Sequence, residues 1–243
     1  MKLTVIGSQG AYPSKDNPSS GYLVEHEGFS LMLDFGSGVL YNLHNYIDII
    51  SLGSIIVSHY HPDHVADIGA FHHLIKVQSD LGNYSGRFQI YGPADDSDFE
   101  RLSYKDYVAA VKAEPGGAVE IGPFLCRFSS NTHPGGGNAV RLECGGKSIV
   151  YTGDTGFYEG LAGFASGCSL LLSECSLYKR FEGRVAGHLS SVEAGRIASE
   201  AGADALALCH FPHWGNIEEL AAEAAEVYDG PIELALPGSW FTL

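Results

Sequence analysis

Apolar positions along the chain fall into short runs broken by Gly, Asp, Ser and Pro, and the period of those runs predicts the elements. KLTVIG (2–7), YLVEHE (22–27) and SLMLDFG (30–36) read as strands, followed by a helix over 38–46. SIIVSH (54–59) is a short apolar strand that ends on a histidine. A helix is expected over 67–77, RFQIYGP (87–93) returns as a strand, and 95–112 reads as a weakly patterned helix. Strands follow at 118–120, 124–129, 139–144 and 148–151. The last quarter alternates: strand SLLLSE (169–174), helix Ser191–Ala201, strand ALALCH (205–210), helix 218–227, strand PIELAL (231–236). Ser190 followed by Glu193 has the form of a capping box opening its helix.

Strand runs in both halves, with helices between them, predict an α/β (α+β) chain. Its expected form is two mixed sheets packed face to face and flanked by helices, a four-layer αββα sandwich. No repeat, low-complexity tract or linker divides the chain, so one domain over 1–243 is expected.

Composition changes this picture in two places. The net charge is −15, from 14 Lys and Arg against 29 Asp and Glu. A protein that grips a nucleic-acid backbone clusters cations to displace counterions, so a long RNA or DNA partner is disfavoured, as is an anionic membrane surface. A small anionic substrate stays compatible, because bound divalent cations reverse the local field. The five cysteines form no C-x-x-C pair and the N-terminus starts on a strand-like run, which together suggest buried free thiols in a cytoplasmic protein. The second departure is the histidine count, 11.

Their placement carries the chemistry. Ser58-His59-Tyr60-His61-Pro62-Asp63-His64 lies where a buried strand gives way to a helix. On an extended stretch His59 and His61 point the same way, and Asp63 and His64 follow where Pro62 stops the strand. Three imidazoles and a carboxylate crowded there without a partner would be costly, so a metal site is expected. Mixed imidazole and carboxylate ligands suit zinc, manganese or iron.

This H-x-H-x-D-H motif resembles the signature of the metallo-β-lactamase superfamily. The resemblance extends over nearly the whole chain. It implies that Asp34 in LMLDFGSG orients the histidine loop without binding metal. By the same resemblance His59, His61 and His133 (in NTHPGGG) hold a first metal, and Asp63, His64 and His210 a second. Asp154 (in TGDTG) and a water or hydroxide would bridge the two. Two divalent transition-metal ions per chain are therefore expected, Zn²⁺ first, with Mn²⁺ or Fe²⁺ as alternatives.

Other branches of the superfamily fit less well. Flavodiiron proteins carry Glu at the position of His61, secreted β-lactamases carry Cys at that of Asp154, and glyoxalase II adds a helical C-terminal domain where this chain ends soon after His210. The phosphodiesterase branch that includes tRNase Z uses a Glu and a His as a proton relay. Glu174 in LLLSECS and His188 in GHLSSVEAG match them, and an alkoxide leaving group needs such a donor. Asp63, Glu174 and His188 are accordingly the candidate catalytic residues. Bacterial tRNase Z inserts a long tRNA-grasping arm between the ligands matched by His133 and Asp154, where this chain has room only for a strand pair.

The stretches SSGYLVE, LDFGSGVL, SHYHPDH, YGP, YTGDTG, HLSSVEAG and CHFPHW are similar to a group that includes actinobacterial cyclic-nucleotide phosphodiesterases. The resemblance implies a small phosphodiester substrate and a homodimer. A lactone or thioester hydrolase is the alternative, followed by a tRNA 3′-processing enzyme or a non-catalytic metal-binding protein. His213 and Trp214 are candidate stacking residues for a substrate, Ser190 a candidate phosphate contact, and the glycines 135–137 either let the backbone approach substrate or simply form a mobile loop. His72 and His73 are read as structural.

Overall fold

The computed structural model describes residues 1–94 and 97–243. In chain order the elements are β1 (Lys2–Gly7), β2 (Gly21–His26), β3 (Phe29–Leu33), α1 (Val39–Leu43), β4 (Ser54–Ile56), α2 (Pro62–Val65), α3 (Ile68–Asp80), β5 (Phe88–Gly92) and β6 (Val108–Lys112). Then come β7 (Ala118–Ile121), β8 (Phe124–Ser130), β9 (Asn138–Cys144), β10 (Lys147–Tyr151), α4 (Glu159–Phe164) and β11 (Leu170–Glu174). The chain closes with α5 (Ser191–Ala201), β12 (Leu206–Cys209), α6 (Ile217–Ala224), β13 (Ile232–Leu234) and β14 (Trp240–Thr242).

Two seven-stranded sheets result, ordered β14-β1-β2-β3-β4-β5-β6 and β13-β12-β11-β10-β9-β8-β7. Each is mixed in the same way. β14-β1-β2-β3 and β7-β8-β9-β10 pair antiparallel, while β3-β4-β5-β6 and β10-β11-β12-β13 pair parallel. The inner faces meet in a shared core that includes Leu3, Val5, Tyr22 and Leu33 from one sheet and Phe124, Val140, Tyr151 and Leu172 from the other. Outside, Val39, Phe71 and Ile75 of α1 and α3 cover the first sheet. Leu161, Ile197, Ala198 and Leu220 of α4, α5 and α6 cover the second. The αββα expectation therefore holds. Parallel strands covered on both faces lose the alternation of a half-exposed strand and become continuously apolar, as SII and LLL do here.

Three details depart from the sequence reading. The stretch 95–112 is not a helix: Phe99–Leu102 forms a 3₁₀ turn and Val108–Lys112 is an edge strand parallel to β5. Positions 95 and 96 of that expectation lie outside the described residues. VAAVK has too few turns to form a stable helix alone, and pairing with β5 buries Val108 completely. The short helix α4 and strand β14 carry too little periodicity to be read in advance; β14 exists because it completes an edge beside β1, 240 residues away in register (Lys2 opposite Thr242). The capping box forms as expected, Ser190 accepting from the Glu193 backbone and Glu193 from the Ser190 backbone. Among the described residues no helix is long and apolar enough to cross a membrane.

Candidate metal centre and its cavity

Every candidate ligand sits at or just past the C-terminal end of a strand, the edge where an α/β sheet leaves room between its turns. β4 ends at Ile56, and the next residues run across that edge, held by Val57 N donating to Tyr91 O and Ser58 N donating to Asp34 Oδ1. Pro62 then opens α2, its missing N–H costing nothing at the first helical position. Asp63 and His64 thereby turn inward and are buried, while His61 remains exposed. Asp154 follows β10, Glu174 ends β11 and His210 follows β12, on left-handed backbone (φ 55°). Asn131 secures the Asp154 loop by donating to the carbonyls of Thr152 and Asp154.

These turns gather the side chains into two clusters that share Asp154: His59, His61, His133 and Asp154, and Asp63, His64, Asp154 and His210. His59 Nε2 and His133 Nε2 each lie 3.0 Å from His61 Nδ1. Three ring nitrogens facing one another cannot all be satisfied as mutual hydrogen bonds, but zinc–nitrogen bonds of roughly 2.0–2.1 Å would seat one cation among them. In the second cluster Asp63 Oδ2 is 3.1 Å from His210 Nε2 and 3.4 Å from His64 Nε2. Asp154 Oδ2 is 3.3 Å from His210 and 3.8 Å from His59, and its Oδ1 is 3.3 Å from His64 Nε2. His64 Nε2 and Asp154 Oδ1 are buried without a hydrogen-bond partner. Buried polar atoms left so are rare, and two facing each other here fit a cation between them.

The far side of each ring is spoken for. His64 Nδ1 is 2.7 Å from Asp34 Oδ2, which also accepts from Ser58 Oγ and Tyr151 OH. His59 Nδ1 lies 3.1 Å from Ser58 Oγ, His133 Nδ1 2.7 Å from Gly187 O and His210 Nδ1 2.8 Å from Ser176 Oγ. Asp34 is thus placed behind the ligands, as the resemblance implies. Such partners fix the tautomer and aim the other nitrogen inward. Burial, reinforced by the neighbouring histidines, holds His59 in its neutral form, with one ring nitrogen free to bind a metal. Burial would raise the Asp154 carboxyl, but His210, His64 and His59 outweigh it and keep it ionised.

Beside the clusters stands the Glu174–His188 pair. Glu174 is fully buried, its Oε1 accepting from Thr155 N and facing His188 Nδ1 at 3.1 Å, and its Oε2 accepting from Ser176 N and Oγ. Burial pushes the His188 imidazole down, yet Glu174, with help from Asp154 and Asp63, raises it to about 9. A ring with that pKa carries a proton at neutral pH.

A cavity of about 500 Å³ opens onto Asp63, Asp154, His188 and His210. Its other walls are largely apolar: Tyr12, Leu177, Phe181, Val185, Phe211 and Trp214 among them, and among the described residues no Lys or Arg lines it. His213 lines it too, stacked on Tyr12 with ring centroids 3.7 Å apart and with Nε2 2.9 Å from Tyr12 O. Trp214 is half-exposed at the same mouth. Ser190 is a correction to the sequence reading: it is fully buried, its hydroxyl is committed to Glu193, and it does not line the cavity. His72 is buried beside Leu102 O and stacked on Tyr104, and His73 is exposed, consistent with structural roles. The loop 135–137 passes close to the first cluster, a Cβ on Gly135 falling 3.7 Å from His61 Nε2.

The sequence reading missed Ser58, Asn131, Tyr151, Ser176, Gly187 and the backbone N–H of Ala11, which donates to Asp63 Oδ2. Ser58 lies inside the ligand motif and Ser176 two residues past Glu174, so proximity could have flagged both. Tyr151 reaches Asp34 across 117 positions and Gly187 reaches His133 across 54, and only the fold brings them together.

Comparison with known proteins places the chain in a family. The family profile described as the Metallo-beta-lactamase superfamily matches residues 15–188. The chain is 39% identical to the probable metallo-hydrolase YhfI of Bacillus subtilis, over 98% of each chain. A crystal structure of YhfI superimposes with a TM-score of 0.96, covering 99% of this chain and 98% of that one. The uncharacterized protein Rv1339 of Mycobacterium tuberculosis is 31% identical over 96% of this chain and 88% of its own. The short form of human tRNase Z shares the fold at a TM-score of 0.78 with 18% identity, over 100% and 99% of the two chains. With its fold, its histidine motif and a family match over most of its length, the chain belongs to the metallo-β-lactamase superfamily.

Proposed function

We propose that the chain is a metal-dependent hydrolase that binds two cations and cleaves a small phosphodiester, with cyclic nucleotides the first substrates to try. His59, His61 and His133 would hold one cation and Asp63, His64 and His210 the other, with Asp154 shared. Bound there, two divalent cations supply a water acidified toward neutrality and Lewis acidity for the phosphoryl oxygens.

The observation that carries the phosphodiester reading is the Glu174–His188 pair beside those clusters. A phosphodiester expels an alkoxide as its P–O bond breaks, and the alkoxide needs a proton. Glu174 favours the charged form of His188, which gives its Nδ1–H to Glu174 and lines the cavity, so its Nε2 proton is the one available to the leaving oxygen. Asp63, held by Ala11 N and facing His210, orients the second cluster against that donor. The cavity accommodates a compact molecule with an apolar or aromatic body. The name of the Bacillus subtilis relative, a metallo-hydrolase, supports the reaction class.

The walls without Lys or Arg favour a second reading, a lactone or thioester whose leaving group needs less help. Assays of the metal-loaded protein against cyclic nucleotides, alkyl and nitrophenyl phosphodiesters, a lactone and a thioester separate the two. Phosphodiester hydrolysis is expected, and His188→Ala should lower kcat by roughly 10²–10⁴-fold on alkyl leaving groups. The loss should be much smaller on nitrophenyl esters, whose leaving group needs no proton, with metal content unchanged. Turnover confined to lactone or thioester, indifferent to His188, would assign the second reading.

A further inference from the structure

The ligand clusters and the proton-donor pair are joined by one side chain that the functional reading does not use. Ser176 lies two residues past β11, half-buried in the cavity wall. Its Oγ is 2.8 Å from His210 Nδ1 and 2.6 Å from Glu174 Oε2, with His188 Nδ1 at 3.3 Å.

The donor count decides the direction of each bond. A serine hydroxyl has one proton to give, and an ionised carboxylate only accepts. The short contact to Glu174 therefore takes the Ser176 proton. His210 Nδ1 must then be the donor to Ser176 Oγ, whether the ring is neutral or charged. In the neutral ring that leaves the Nε2 lone pair facing Asp63 Oδ2 at 3.1 Å and Asp154 Oδ2 at 3.3 Å. A lone pair aimed at two carboxylate oxygens is repulsive unless a metal ion stands between them or, in the metal-free protein, a second ring proton is donated to Asp63. The same hydroxyl, with Ser176 N, occupies Glu174 Oε2 and turns Oε1 toward His188.

We propose that Ser176 is a positioning residue that couples the two halves of the site, fixing His210 as an Nε2 ligand and aiming the Glu174 carboxylate at His188. The inference rests on the two-cation reading above. Without the hydroxyl, His210 Nδ1–H loses its acceptor and the ring is free to turn, while Glu174 loses its shortest hydrogen bond.

The test is a competition titration of the metal-free full-length protein with Zn²⁺ against a chromophoric chelator, which reads the two binding steps separately and needs no turnover. Ser176→Ala should weaken one step by 10- to 100-fold, the range for losing a partner behind a ligand. That step should be the one His210→Ala abolishes, with the other step unchanged. Ser176→Thr, which keeps the hydroxyl, should restore it. On an alkyl phosphodiester at saturating Zn²⁺, Ser176→Ala should also lower kcat more than KM changes. Two Ser176→Ala steps within twofold of wild type would overturn the proposal while leaving the two-cation reading intact. Equal weakening of both steps, unrescued by threonine, would overturn it as general damage. A wild-type protein that takes fewer than two ions, or a second step indifferent to His210→Ala, would overturn both.

Discussion

Four imidazoles of the site give away one nitrogen and present the other: His59 to Ser58, His64 to Asp34, His133 to Gly187 and His210 to Ser176. His188 shares with His64 a buried carboxylate partner, but it stands outside the two clusters that share Asp154 and it lines the cavity. Glu174 stabilises the charged ring, which suits His188 to give a proton into the cavity. The metal-free protein should report this directly. The folded pKa of about 9 lies above the usual histidine value of 6.5, a raised pKa, so the contribution to stability is complete below pH 6.5 and disappears as pH rises through about 9. A displacement of that size is worth at most about 3 kcal/mol. Urea denaturation in excess chelator should show the gap between wild type and His188→Gln shrinking from pH 6 to pH 10. A gap independent of pH would mean that His188 and Glu174 do not form a charged pair.

At the scale of elements, the site depends on segments that arrive at one edge of the two sheets from distant parts of the chain. The segment after β11 shows how tightly they interlock. Residues 182–186 are exposed, but Gly187 is buried and its carbonyl accepts from His133 Nδ1. Its φ is 85°, and a Cβ there would lie 2.3 Å from Pro134 Cδ and 2.9 Å from His133 Nδ1. Gly187→Ala should therefore push His133 from its place and lower metal content toward one ion per chain, with far-UV circular dichroism unchanged. Retention of two ions would show that the segment yields without moving the ring. Gly187 was invisible in the sequence for the reason that makes it matter, since its partner is 54 residues away. The candidate ligands were legible because four of them fall within six positions and the other three lie one to three residues past strands. The capping box at Ser190 was legible because it is local, and for the same reason its hydroxyl is unavailable to substrate. β6 and β14 were not legible, because their pairing partners, more than their own residues, make them strands.

On the scale of the whole molecule, fold and charge point to different partners. The architecture is shared with human tRNase Z, but at 18% identity that similarity speaks for the scaffold alone, and a scaffold hosts many activities. Charge is specific to this chain. At −15 it repels a polyanion, whose binding depends on cations that displace counterions from many phosphates. Among the described residues the cavity offers no Lys or Arg to a second phosphate. Between His133 and Asp154 the chain runs through 135–137 into the β9–β10 hairpin, closed at Gly145 and Gly146, so the segment is used up in sheet pairing. A bound cation pair would reverse the field only locally, enough for one phosphoryl group and not for a strand of them. Precursor tRNA should accordingly show no saturable binding at physiological salt, and any association at low salt should fall away steeply as salt is raised. The metal-loaded protein should leave its 3′ end uncut while still hydrolysing a small phosphodiester. Accurate 3′ cleavage at nanomolar enzyme would show instead that the cations override the charge of the whole surface, and the choice of a small substrate would have to be abandoned.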